Sequence, residues 1–113
     1  MLVRLDAVFE IALGIAVLIA TASGALGSDD FPRPVGTVVL LIVGAALVLL
    51  GVLIWLGRMG LRELALGNAV SAIAGLAWLA AVSGFSSTGF AFVAATVAGL
   101  ACLAAAQAAT LRA

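Results

Sequence analysis

Apolar residues run almost unbroken through four stretches of this chain, and polar residues gather between them. The stretches are about Leu5 to Ala22, Val35 to Leu56, Leu61 to Val82 and Gly89 to Ala109. Each approaches the ~20 residues with which a helix crosses a ~30 Å hydrocarbon core. The runs are continuous, whereas a membrane β-barrel is built from ~10-residue segments of alternating polarity. Helices are therefore expected. The segments between them read as turns. Ser23 to Pro34 holds Gly, Ser, Asp and both prolines, Gly57 to Gly60 is a tight hairpin, and Ser83 to Thr88 is a short polar loop in which Ser87 or Thr88 is placed to cap the last helix. The expected fold is an all-α integral membrane protein: one domain over residues 1–113, folded as an antiparallel bundle of four transmembrane helices.

Composition agrees and narrows the chemistry. Of 113 residues 66% are hydrophobic and 9% charged, with zero formal net charge; mean hydropathy is +1.41. A soluble domain carries ~25% charged residues. There is no His, no Lys and no Tyr, and Cys102 is the one cysteine. That excludes the usual zinc sites, the commonest general base and an intrachain disulfide. No metal site and no cofactor are expected. Without a basic run, nucleic acid is not an expected partner. Asp6 and Glu10 interrupt the early apolar run, so a cleaved leader is not expected there. An Ala/Gly/Leu/Arg-rich chain without Lys suits GC-rich codons and suggests a bacterial source.

Arginine sets the expected topology. Four spans put both termini and the Gly57–Gly60 turn on one side, with Arg4, Arg58, Arg62 and Arg112; the other side has Arg33 beside Asp29 and Asp30. Loops this short obey the positive-inside rule. Both termini are expected in the cytoplasm, in a plasma (inner) membrane.

The few polar residues within the spans fall at one depth. Glu10, Asn68 and Gln107 lie six, six and five residues inward of Arg4, Arg62 and Arg112, about 8–9 Å at 1.5 Å per residue. Helical phase places Asp6, Glu10, Gly14, Val17 and Thr21 on one face of the first span. Leu64, Asn68, Ala72, Gly75 and Leu79 share a face of the third, and Gly89, Thr96, Leu100, Leu103 and Gln107 a face of the fourth. The second span carries a seven-residue stripe of Thr37, Gly44, Gly51 and Arg58. Small residues let helices approach, and polar ones bond across them because lipid offers no partner. Asp6, Glu10, Arg58, Arg62, Asn68 and Gln107 thus form an expected interior polar cluster, in which Arg58 or Arg62 reaches Asp6 or Glu10. Asn68 and Gln107 read as bundle glue, and Glu10 as the residue whose surroundings separate a structural from a transport role.

The remaining residues have plainer expected roles. Trp55 reads as an interfacial anchor, Trp78 as an anchor or packing residue, Cys102 as a small core residue, and Asp29 and Asp30 as solvated. Gly67, Ser71 and Gly75 form a small-residue ridge, suited to packing within the bundle or to a dimer seam. "VRLDAVFE" (3–10) and "LRELALGN" (61–68) share an Arg, an acid close behind it and a polar residue six positions beyond the Arg; "SG" then follows at 23 and 83. A parallel duplication of a helical hairpin would leave this pattern, and so would chance repetition in a chain of such low complexity in Ala, Leu and Gly.

No Ser stands near a base and an orienting group, so no enzyme is expected. The leading reading is a structural or accessory subunit that packs in the lipid with itself, as a homo-oligomer, or with a larger membrane-protein complex. The rival is an oligomeric small-solute or proton-coupled transporter or channel that uses Glu10. A dry Glu–Arg pair without a cavity would mark the first, and water or density beside Glu10 the second.

Overall fold

The computed structural model describes residues 1–112; Ala113, the last residue of the expected domain, lies outside them. It is helical: α1 is Leu2–Ala22, α2 Thr37–Trp55, α3 Leu61–Ala81 and α4 Ser87–Arg112, with a 3-10 turn at Ser28–Asp30. Of these, α2, α3 and α4 are long and apolar enough to cross a membrane.

Local chemistry fixes the helix ends. Pro34 and the extended Gly36 delay α2 to Thr37, two residues after the expected Val35. Gly57, at φ +79°, then closes it. The Arg58 N–H donates to the Leu53 carbonyl at 3.1 Å and the Gly57 N–H to the Ile54 carbonyl at 3.0 Å. These are the paired bonds of a Schellman motif. The cap of α4 is Ser86 rather than the expected Ser87 or Thr88: its Oγ accepts the Gly89 N–H at 3.0 Å. An N-cap side chain bonds the N–H two or three residues on, so α4 starts at Ser87, ahead of the expected Gly89.

The helices pack as two hairpins. α1 lies against α2 along its length, as α3 does against α4, whereas the two hairpins touch each other at few points. The α1–α2 seam has no room for side chains at its glycines. A Cβ on Gly14 would lie 2.7 Å from the Gly44 carbonyl oxygen, and one on Gly51 would lie 2.9 Å from that of Ala7. The middle of the expected α2 stripe is thus buried against α1, while Thr37 and Arg58 at its ends are exposed. The expected α1 face, Asp6, Glu10, Gly14, Val17 and Thr21, is buried throughout. The ridge on α3 divides: Gly75 packs on Val97 of α4, and nothing lies within 4 Å of a Cβ built on Gly67.

Two apolar clusters close the ends. Ala7, Ile54 and Leu64 close the end near the arginines. The opposite end is filled by Val17, Leu26, Phe31, Leu40 and Val93. Phe31 comes from the α1–α2 loop and stacks on Trp78 at 6.3 Å, with Phe85 and Phe92 edge-on. Trp78 is therefore a packing residue. Asp30 holds the loop in place. Its Oδ1 accepts the Ser86 hydroxyl at 2.5 Å, its Oδ2 the Gly27 N–H at 2.9 Å, and its carbonyl the Ser86 N–H at 3.1 Å. Asp29 is exposed, as expected, but Asp30 is a fastener between the loop and α4 rather than a solvated charge. Cys102 also departs from expectation. It is exposed, because the inward phase of α4 is set by Leu100, Leu103 and Gln107, which turns position 102 outward.

Candidate functional site

Three helices deliver one polar side chain each to a shared interior point. Asp6 of α1 and Gln107 of α4 are fully buried, and Asn68 of α3 is nearly so. Asn68 Nδ2 donates to Asp6 Oδ2 at 2.6 Å and to Gln107 Oε1 at 3.0 Å. Gln107 Nε2 donates to the same Asp6 oxygen at 2.6 Å. The three side chains form a closed triangle. A buried carboxylate loses several kcal/mol of hydration, and a hydrogen bond to a charged group returns ~1.5–3 kcal/mol. Two amide donors therefore offset much of the cost at Oδ2. Asp6 Oδ1 is buried and has no hydrogen-bond partner.

Glu10 lies one turn further along the same face of α1 and is 4% exposed. Among the described residues no hydrogen-bond donor reaches its carboxylate. Instead Glu10 borders a cavity of about 340 Å³ between the hairpins, which Asp6 and Asn68 also line. The cavity exists because α2 and α3, joined by a short turn, do not pack against each other. Its walls are largely aliphatic, with Leu13 and Val17 from α1, Leu47 and Leu50 from α2 and Leu100 from α4. Val43 of α2 and Gly67 and Ser71 of α3 also line it and are exposed. The mouth therefore lies along the α2–α3 seam. Its end at the α2–α3 turn is bordered by Met59 and Glu63.

The arginines do not enter this site, which corrects one expectation. Arg58 and Arg62 are exposed and form no ion pair with Asp6 or Glu10. The Schellman turn takes Arg58 off the helical register that would have extended the α2 stripe inward. Arg62 is turned away because Leu64, Ala65 and Asn68 define the buried face of α3, and position 62 is ~200° from position 64 at 100° per residue. Arg4 also faces outward, with its guanidinium 4.5 Å from the centre of the Trp55 ring, a cation–π contact. Of the six expected cluster residues, the structure brings together Asp6, Asn68 and Gln107, with Glu10 beside them.

Glu63, absent from the expected cluster, is the third carboxylate on the cavity lining, and no arginine borders it. Its side chain folds back over Gly60 at the N-terminus of its own helix, where a negative charge is favoured by the helix dipole. Its place in the first turn of α3 was visible in the sequence; its position at the cavity rim depends on the separation of α2 from α3. Among the described residues, no group of three or more His, Cys, Asp or Glu side chains is placed to hold a metal ion. No known protein family, curated protein or solved structure matches the chain.

Proposed function

We propose that the chain is a plasma-membrane protein with four helical spans and both termini in the cytoplasm, and that it is a non-catalytic carrier of a small solute. The fourth span is α1. Its 21 residues extend about 31 Å, and it accompanies the apolar α2 along its length. Orientation rests on the four-to-one distribution of arginines.

One observation carries the functional reading: Glu10 is buried, has no partner among the described residues and faces open space. A carboxylate in this position is costly, and the fold does not use it as a tie. The Asp6–Asn68–Gln107 triangle alone would serve a purely structural bundle or an accessory subunit; that reading leaves Glu10 and the cavity without a purpose. Self-association, or docking in a larger membrane complex, would supply the second conformation that alternating access needs.

The test is uptake into liposomes holding the purified protein, with cationic, neutral and anionic labelled solutes. Saturable uptake of one class, lost in Glu10→Gln, is expected. Uptake no greater than that of empty liposomes for every class would overturn the reading in favour of an accessory subunit.

A further inference from the structure

The lining of the cavity points to the chemistry of its occupant. Three carboxylates, Asp6, Glu10 and Glu63, border it, and no cationic side chain does. Asp6 has one buried oxygen with no donor, and Glu10 has no donor at all among the described residues. The rest of the lining is mostly aliphatic. A bare inorganic cation needs a converging shell of oxygen ligands, and among the described residues the carboxylates are not grouped closely enough to hold one. An anion would meet only like charge. A neutral apolar molecule would leave the carboxylates uncompensated. A single positive charge on an apolar body satisfies both ends of the cavity.

The route of access is also constrained. Phe31 and its aromatic partners, fastened by Asp30 and Ser86, close the end opposite the arginines. The seam between α2 and α3 stays open, bordered by Val43, Gly67 and Ser71. An occupant dissolved in the bilayer would reach the carboxylates sideways through this seam, without crossing either apolar plug. The volume lies at the small end of the ~300–1,000 Å³ range of ligand pockets, so the apolar body is compact.

We propose that the cavity between the two hairpins binds a small amphiphilic cation, an ammonium group on an apolar body, which enters from the membrane between α2 and α3 and places its charge beside Glu10 and Asp6. This rests on the small-solute reading above and names the class of solute.

The probe is radiolabelled benzyltrimethylammonium, bound to the purified protein in detergent. Its neutral carbon isostere, neopentylbenzene, serves as competitor. Saturable binding is expected, with no displacement by the isostere and affinity about tenfold or more weaker in Glu10→Gln. Gly67→Phe is the second variant. Nothing lies within 4 Å of a Cβ at this position, so the ring adds bulk at the mouth without disturbing the fold, and it too should weaken binding. Repeating the assay in phosphatidylglycerol nanodiscs with and without phosphatidylethanolamine distinguishes two sources of the ammonium group. Weaker binding with the aminolipid identifies a lipid headgroup as the occupant, and equal binding identifies a free amphiphile. Equal displacement by the isostere, or unchanged affinity in both variants, would overturn the proposal. If liposomes then still took up a neutral or anionic solute in a Glu10-dependent way, only the class of solute would be wrong; if they took up none, the carrier reading would fall with it.

Discussion

Gln107 holds its Nε2 2.6 Å from Asp6 Oδ2, joining the last helix to the first across 101 positions of sequence. Asn68 completes the tie from α3. The helices of the two hairpins touch sparingly, so this polar triangle ties them at the arginine-bearing end, as the Asp30–Ser86 bonds and the Phe31 plug do at the other. It sits at the depth where the arginine-bearing ends give way to apolar helix.

Removing one donor should therefore cost about what its bond is worth. Gln107→Leu leaves the buried Asp6 with a single amide, and Asn68→Leu does the same. Each should destabilise the fold by ~1–2 kcal/mol, within the range measured for hydrogen bonds between membrane helices. The double variant should lose more than the sum, because Asp6 then has no donor at all. Replacing all three residues with Leu should recover much of the loss, since an apolar replacement leaves no uncompensated buried charge. Detergent unfolding of the four variants measures this.

The α1–α2 seam makes a separate prediction. Gly51→Val forces a branched side chain onto α1, where the Ile11 side chain and, behind it, the backbone of Ala7 and Ile11 stand in the way. A loss of ~1–3 kcal/mol is expected from overpacking. Gly67→Ala, on the open side of α3, should be neutral or slightly stabilising, because Ala favours helix over Gly by up to ~1 kcal/mol. Thermal unfolding of both variants in one detergent checks the contrast.

Asp30 links the Phe31 plug to the cap of α4. Asp30→Ala removes acceptors for the Ser86 hydroxyl and the Gly27 N–H, at an expected cost of ~2–3 kcal/mol. The released loop should be cleaved by protease faster than in the wild type, whereas Asp29→Ala should leave both stability and cleavage unchanged. Limited proteolysis of reconstituted protein reads this directly.

Helical phase made much of this arrangement legible in the sequence. The α1 face from Asp6 to Thr21 and the inward Asn68 and Gln107 follow from a 3.6-residue repeat applied to the few polar and small residues. What failed were inferences that carried phase past a helix end or ignored the rotation between neighbours. Arg58 continues a seven-residue stripe on paper, but Gly57 ends α2 first. Arg62 shares a depth with the polar layer but not its direction. Cys102 lies deep in its span, but depth does not say which way a side chain points, and it faces outward. The cavity was beyond reach because it depends on α2 and α3 standing apart, which a tight turn between them does not suggest. The Phe31 plug left one sign, the collection of Phe31, Trp78, Phe85 and Phe92 towards one end of the helices.

The most direct test of the account asks whether Glu10 is a binding group rather than a tie. Glu10→Gln and the wild type should be purified together, unfolded thermally in detergent and assayed for solute uptake after reconstitution. Among the described residues Glu10 has no hydrogen bond to lose and its buried charge is costly, so Glu10→Gln should be at least as stable as the wild type while uptake disappears. Retained uptake, or a loss of stability in parallel with uptake, would contradict the account.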